Sequence, residues 1–108
     1  MDLFNRLANW FSRTGRDENQ LNVALDCAKN GSPAEAIEIY NELLQNPATS
    51  ATTKARALFN RALAYSSMKD DQRAIADLKQ LTAQNDAPEN VRSAARTQLV
   101  RLKNRQAI

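Results

Sequence analysis

The sequence has no histidine, one cysteine (Cys27) and two glycines among its 108 residues. Without histidine there is no His-based catalytic triad, and the commonest zinc ligand is missing. A single cysteine excludes an intrachain disulfide framework and agrees with a reducing compartment, so we expect a cytoplasmic protein. Two glycines argue against a glycine-rich phosphate-binding loop. We therefore expect no cofactor, no metal site and no catalytic residues.

Long apolar runs are also missing. None approaches the 18 or more residues that a membrane span needs, and polar residues interrupt residues 1–16, so this stretch does not resemble a signal peptide. The net charge is only +3, but residues 17–50 carry six acids and one lysine, whereas residues 87–108 carry five cations and one acid. This division favours directional electrostatics over a uniform nucleic-acid surface.

The residues that remain for catalysis are few. Cys27 is the one thiol, and no histidine is present to activate it, so we interpret it as a small buried hydrophobe. The acidic side chains of residues 17–42 include pairs four residues apart, but their polar neighbours indicate a solvated helix face rather than a pocket. The sequence therefore argues against an enzyme.

Helices account for the rest of the pattern. Glycine and proline are sparse, alanine and leucine are abundant, and apolar residues recur at intervals of three and four. We predict an all-α fold and expect the loop at residues 46–53 to be the longest and most mobile connection. The predicted helices cover about 2–13, 17–29, 33–46, 53–68, 71–84 and 88–105.

A repeat of 38 residues underlies these helices. Small residues recur where two helices would approach closely, and large residues recur where they would fill the space between. One helix pair cannot bury its apolar face alone, so stacked pairs are expected. The superposed pairs are Ala24 with Ala62, Cys27 with Tyr65, Ala36 with Ala74, Ile37 with Ile75, Tyr40 with Leu78 and Leu43 with Leu81.

This order of small and large residues resembles the tetratricopeptide repeat (TPR), most closely over residues 58–75. The resemblance implies a fragment of an α-solenoid with two helix-turn-helix repeats, at about 17–50 and 55–88, and a capping helix at about 88–105. These elements form a domain at 17–108, and an amphipathic helix at 1–16 precedes it. The sequence departs from the family at one turn, where Gly31 of the first repeat becomes Lys69 in the second.

A TPR array implies a concave groove that is lined by the first helix of each pair and binds a peptide or a partner helix. Leu25 superposes on Leu63, and Leu21 on Phe59, so apolar residues recur at matching groove positions. The alternative is that these side chains only pack against neighbouring helices. By frame position, the resemblance implies these partner-binding residues: Leu21, Leu25, Arg56, Phe59, Asn60 and Leu63.

Asn60 also matches an asparagine of the TPR domains that bind the C-terminal carboxylates of chaperones. Such a carboxylate clamp needs a lysine and an asparagine in the first repeat, where this chain has Leu21 and Leu25. It also needs two cations four residues apart in a third repeat, and Arg92 and Arg96 have that spacing. The two leucines argue against a clamp of this kind.

The last predicted helix carries a candidate basic stripe, which consists of Arg92, Arg96 and Lys103. The simpler interpretation is a capping helix with a solvated outer face, whose late cations complement the helix dipole. Residues 87–108 contain no aromatic side chain, which argues against binding of single-stranded nucleic acid.

The first predicted helix carries the strongest apolar pattern. At 100° per residue, five large side chains fall within an arc of about 120°, and polar residues fill the opposite side. A helix this short is marginal in water, so we expect it to dock on a surface. That surface is its own domain, a second copy or another protein, with a membrane interface as the alternative. The face consists of Leu3, Phe4, Leu7, Trp10 and Phe11.

Together these observations predict a non-enzymatic adaptor that binds a protein or peptide in a TPR groove. The alternative is a peripheral membrane scaffold that is anchored by the N-terminal helix. Both functions depend on surfaces rather than on a reactive centre.

Overall fold

The computed structural model describes residues 16–106 and places five α-helices there. Within this range no strand occurs, and each predicted helix boundary is met to within two residues, so the all-α fold is confirmed. The helix predicted at 2–13 lies outside the described residues. The five helices are α1 Arg16–Lys29, α2 Pro33–Gln45, α3 Ala51–Ser67, α4 Asp71–Thr82 and α5 Glu89–Gln106.

The first hairpin, α1–α2, turns at Gly31. The Ser32 N–H donates to the Cys27 carbonyl oxygen at 2.8 Å, and Gly31 has a φ of 86°. This is a Schellman motif, in which a left-handed residue satisfies the last carbonyl groups of a helix. Pro33 then occupies the start of α2, where its missing N–H is harmless, but the Ser32 side chain makes no capping hydrogen bond.

The second hairpin, α3–α4, repeats this turn with a lysine. The Asp70 N–H donates to the Tyr65 carbonyl oxygen at 2.9 Å, and Lys69 has a φ of 64°. The Asp70 side chain then caps α4 by accepting from the Arg73 N–H at 3.2 Å. The hairpin geometry is therefore retained although the turn glycine is not.

The connection between the two hairpins is shorter than the sequence predicts. The loop was expected to reach residue 53, but α3 begins at Ala51. The Ser50 hydroxyl caps the helix by accepting from the Thr53 N–H at 3.1 Å, and Thr53 is buried. The prediction for residues 51–53 was wrong because it missed this cap.

The helices stack in chain order, each packing on the next, and α3 also contacts α1 and α5. The repeated positions form the contact between the helices of each hairpin. Four of the six superposed pairs are at most 1% exposed, whereas the pairs Cys27 with Tyr65 and Ile37 with Ile75 are only half-buried, so the repeat is confirmed at four pairs. They are Ala24, Ala36, Tyr40 and Leu43 in the first repeat, and Ala62, Ala74, Leu78 and Leu81 in the second.

Helix α3 is shared by two apolar clusters. Its alanines Ala57 and Ala64 pack against the first repeat, whereas Leu58 and Ala62 pack against α4 and α5. Alanines on both sides let α3 lie close to both hairpins. This central position brings α1 and α3 side by side.

Helix α5 closes the second cluster. Val91, Ala95 and Leu102 are buried against it, and Leu99 is partly buried there. The opposite face of α5 is exposed. The helix therefore covers the apolar end of the second repeat, as the prediction of a capping helix requires.

Candidate functional site

An apolar groove lies between α1 and α3. It has a volume of about 290 Å³ and is open to solvent. Leu25 and Leu63 contribute to it from equivalent positions of the two repeats, and both are half-buried. The lining consists of Leu25, Ala28, Lys29, Tyr40, Asn60, Leu63, Ala64 and Ser67.

Tyr40 reaches the groove from α2 and is fully buried beneath the other lining residues. Its hydroxyl has no hydrogen-bond partner among the described residues. Burial, with a smaller contribution from nearby Cys27, raises the pKa of the Tyr40 phenol to about 12. The phenol is therefore neutral at physiological pH, and the floor of the groove carries no charge.

Three of the six predicted partner-binding residues meet in this groove: Leu25, Asn60 and Leu63. Leu21 does not belong to the lining; it is 5% exposed and packs in the first cluster. Phe59 is half-buried and packs against the cluster of the second repeat. The exposed Arg56 lies one helical turn before Asn60 and is not in the lining. The prediction placed Leu21 on the surface because frame position alone does not measure burial.

The side chain of Asn60 is already engaged within its own helix. Its amide nitrogen donates to the Arg56 carbonyl oxygen at 2.8 Å. Arg92 and Arg96, the cations that a carboxylate clamp would use, both pair with Glu89. These pairings add to the sequence argument against a carboxylate clamp.

The candidate basic stripe is partly neutralised by the same carboxylate. A hydrogen bond from Arg96, and the charges of Arg96 and Arg92, hold the pKa of Glu89 below its usual value. Arg92 is half-buried, and Lys103 is exposed on the last turns of α5. The three cations therefore do not form one free positive surface.

An ion pair that the sequence did not reveal lies within the second repeat, and a hydrogen bond connects it to the first. Arg61 donates to both carboxylate oxygens of Asp77, at 2.9 and 2.7 Å, and to the Asn41 side-chain oxygen at 2.8 Å. The hydrogen bonds with Asp77 raise the pKa of Arg61. The network joins α2, α3 and α4, and no local sequence signal pairs residues so far apart.

Two larger pockets lie elsewhere in the described chain and have mainly polar linings. The first, about 550 Å³, lies beside Arg61 and includes Lys54, Gln84 and Asp86. The second, about 490 Å³, lies at the turn after α3, where Arg105 pairs with Asp71. Their polar linings contrast with the groove between α1 and α3.

The second repeat, which forms one side of the groove, matches a known protein family. Residues 56–86 match the family model of the tetratricopeptide repeat. This match covers most of α3 and all of α4, and it confirms the resemblance over the second repeat. Neither the curated proteins nor the solved structures contain a match to this chain. Tetratricopeptide repeats are typically interaction modules that bind other proteins, rather than enzymes.

Two further observations concern the described range alone. No helix between Arg16 and Gln106 is long and apolar enough to cross a membrane. Over the same residues, no group of three or more Cys, Asp or Glu side chains is arranged to hold a metal ion. The predicted docking face, Leu3, Phe4, Leu7, Trp10 and Phe11, lies outside the described residues.

Proposed function

We propose that the chain is a non-enzymatic adaptor that binds a peptide or an amphipathic helix in the groove between α1 and α3. The observation that carries this proposal is the position of Leu25 and Leu63. They lie 38 residues apart, at equivalent places in the two repeats, and line the same solvent-open groove. Two half-buried leucines with a neutral floor favour a ligand that inserts apolar side chains.

The edges of the groove favour a ligand that also has polar groups. Lys29, Asn60 and Ser67 contribute to the lining. The Asn60 amide nitrogen and the Ser67 hydroxyl donate within their own helix, which leaves their oxygens as acceptors beside the apolar centre. An amphipathic helix satisfies both requirements, because its apolar stripe can insert while its polar face remains in water. The shape and chemistry of the groove thus support a helical or extended peptide.

This proposal can be tested by selecting, from random 12-residue peptides displayed on phage, those that bind the protein. The bait is the full chain, and Leu63→Glu is the variant that places a charge in the groove. Enriched peptides should be apolar or amphipathic and should bind Leu63→Glu at least tenfold more weakly, because insertion then requires burial of a carboxylate. Val100→Glu is the matched control, since Val100 is 57% exposed on α5.

Circular dichroism of each variant establishes that the helices remain. A second groove variant, Leu25→Glu, replaces Leu63→Glu if the latter loses helicity. Peptides that bind all variants equally well would overturn the groove as the binding site.

The alternative is a peripheral membrane scaffold, and it depends on residues 1–13. Trp10 beside Arg6 and Arg13 is a combination typical of an interfacial helix. Binding of anionic vesicles that requires Phe4 and Leu7 but not Leu63 would favour this alternative.

A further inference from the structure

We propose that residues 2–13 of this chain fold back along α1 and occupy the groove between α1 and α3. The inference rests on the proposed function in treating that groove as a binding site, and it names the first occupant.

The groove has the chemistry that the segment requires. Its centre is formed by Leu25, Ala28 and Leu63, with Ala64 beside them. As a helix, the segment has five large apolar residues on one side and polar residues on the other. Its apolar side matches the centre of the groove, and its polar side would remain in water. The two larger pockets have polar linings and do not suit such a face.

The outer face of α1 is not an alternative place for the segment. In the second repeat, Ala57 and Ala64 pack on the preceding hairpin. The residues 38 positions earlier are Asn19 and Asp26, and both are exposed. Polar residues where packing needs alanine indicate that this face of α1 is a solvated end of the array. Val23 is the one large apolar residue exposed there.

The connection has the right length for the groove. Leu25 and Ala28 lie nine and twelve residues after Arg16, which is about 14 and 18 Å along the helix axis at about 1.5 Å per residue. A helix over residues 2–13 is also about 18 Å long. If the chain reverses at Thr14 and Gly15, the part of the segment with Leu3, Phe4 and Leu7 lies beside Leu25 and Ala28. Gly15 permits such a reversal because it has no Cβ.

Charge also favours this placement. Residues 2–13 carry two arginines and one aspartate, whereas residues 17–50 carry six acids and one lysine. The exposed Glu18 lies seven residues before Leu25, on the same side of α1, and therefore along the path of a basic segment. The attraction is screened by salt and orients the segment more than it holds it.

Nuclear Overhauser effects measured on the uniformly ¹³C,¹⁵N-labelled full chain test the proposal. We expect contacts from the Phe4 ring and the Leu7 methyl groups to the methyl groups of Leu25 and Leu63. The double variant Phe4→Asp/Leu7→Asp should lose them and shift the Ala28 amide resonance. Asn9→Asp, on the polar side of the segment, is the matched control and should retain every contact.

A mixture of labelled and unlabelled chains identifies the source of the segment. Contacts that appear between chains in isotope-filtered spectra would assign the occupant to a second copy and overturn folding back within one chain. Contacts that are absent in buffer, or that require anionic vesicles, would also overturn the proposal. These variants leave residues 16–106 unchanged, so loss of the domain fold does not confuse the result.

Peptide binding separates failure of this inference from failure of the proposed function. If the segment fills the groove nine-tenths of the time, peptides selected on phage should bind Phe4→Asp/Leu7→Asp about tenfold more tightly than the parent. If the double variant binds these peptides with the same affinity as the parent, and Leu63→Glu still weakens binding, self-docking is overturned and the adaptor function stands. If the intramolecular contacts are observed but no selected peptide depends on Leu63, even when the double variant is the bait, self-docking is supported and the adaptor function is overturned.

Discussion

Lys69 adopts the same left-handed backbone conformation as Gly31, 38 residues earlier in the chain. Each residue lies two positions after the end of the first helix of its hairpin, and both donate a backbone N–H to a carbonyl of the last turn of that helix. A side chain with a Cβ makes this conformation costly, and only the surrounding turn maintains it at Lys69. The hairpin geometry of the repeat thus determines the backbone even where glycine is replaced.

Lys69→Gly should therefore stabilise the protein, by about 1 kcal/mol, because glycine adopts positive φ without steric cost. Gly31→Ala is the mirror-image control and should destabilise by about the same amount. An added Cβ at Gly31 meets no atom within 4 Å, so its effect would arise from the backbone alone. The measurement is the free energy of unfolding in urea. A destabilised Lys69→Gly variant would contradict the argument.

The ion pair between Arg61 and Asp77 should matter more than its exposed counterparts. The Arg61 side chain is 21% exposed and that of Asp77 is 8% exposed, so Asp77→Ala leaves a largely desolvated guanidinium with only the neutral Asn41 as its partner. We expect a loss of about 1–3 kcal/mol, and partial recovery in Arg61→Met/Asp77→Leu.

Arg73→Ala is the control for this pair. It breaks the exposed pair with Asp70, and we expect the unfolding midpoint to stay nearly unchanged. Equal effects of Asp77→Ala and Arg73→Ala would show that the buried network adds nothing.

Ala62 lies at the close crossing of α3 and α4 and is 1% exposed. Ala62→Leu should overpack this crossing and cost about 1–3 kcal/mol, which lowers the thermal midpoint. Ala76→Leu makes the same change at an exposed position of α4 and should leave the midpoint nearly constant. If the two variants have the same thermal midpoint, Ala62 is not a packing position.

The raised pKa of Tyr40 makes the stability of the folded protein change with pH in the alkaline range. Its folded pKa of about 12 exceeds the usual value of 10, so the unfolded chain releases the phenolic proton first. The stability of the folded state is complete below pH 10 and declines as the pH rises through 12. Tyr40→Phe should reduce this decline and, because it removes a buried hydroxyl without a partner, should be at least as stable at neutral pH. Urea unfolding at several pH values measures both effects.

The sequence specified the helices because the repeat and its turn residues act locally. Pro33 and Asp70 mark the starts of two helices, and Gly31 marks a turn, so each boundary depends on neighbouring residues alone. The contact between Arg61 and Asp77 joins helices through tertiary packing, and no periodicity predicts it. Leu21 failed as a groove residue for a similar reason, since its burial depends on how closely the hairpins pack.

Trp10 reports on the fate of the N-terminal segment, because it is the chain's one tryptophan. Docking on protein places the indole among apolar side chains, so its emission should be blue-shifted in buffer without lipid and should not change when anionic vesicles are added. Phe4→Asp/Leu7→Asp should shift the emission to the red, and Asn9→Asp should leave it constant. A red-shifted parent whose emission moves to the blue only with vesicles would contradict docking on protein. Such a result would favour the membrane scaffold, because Trp10 would then find its apolar surroundings in the lipid interface.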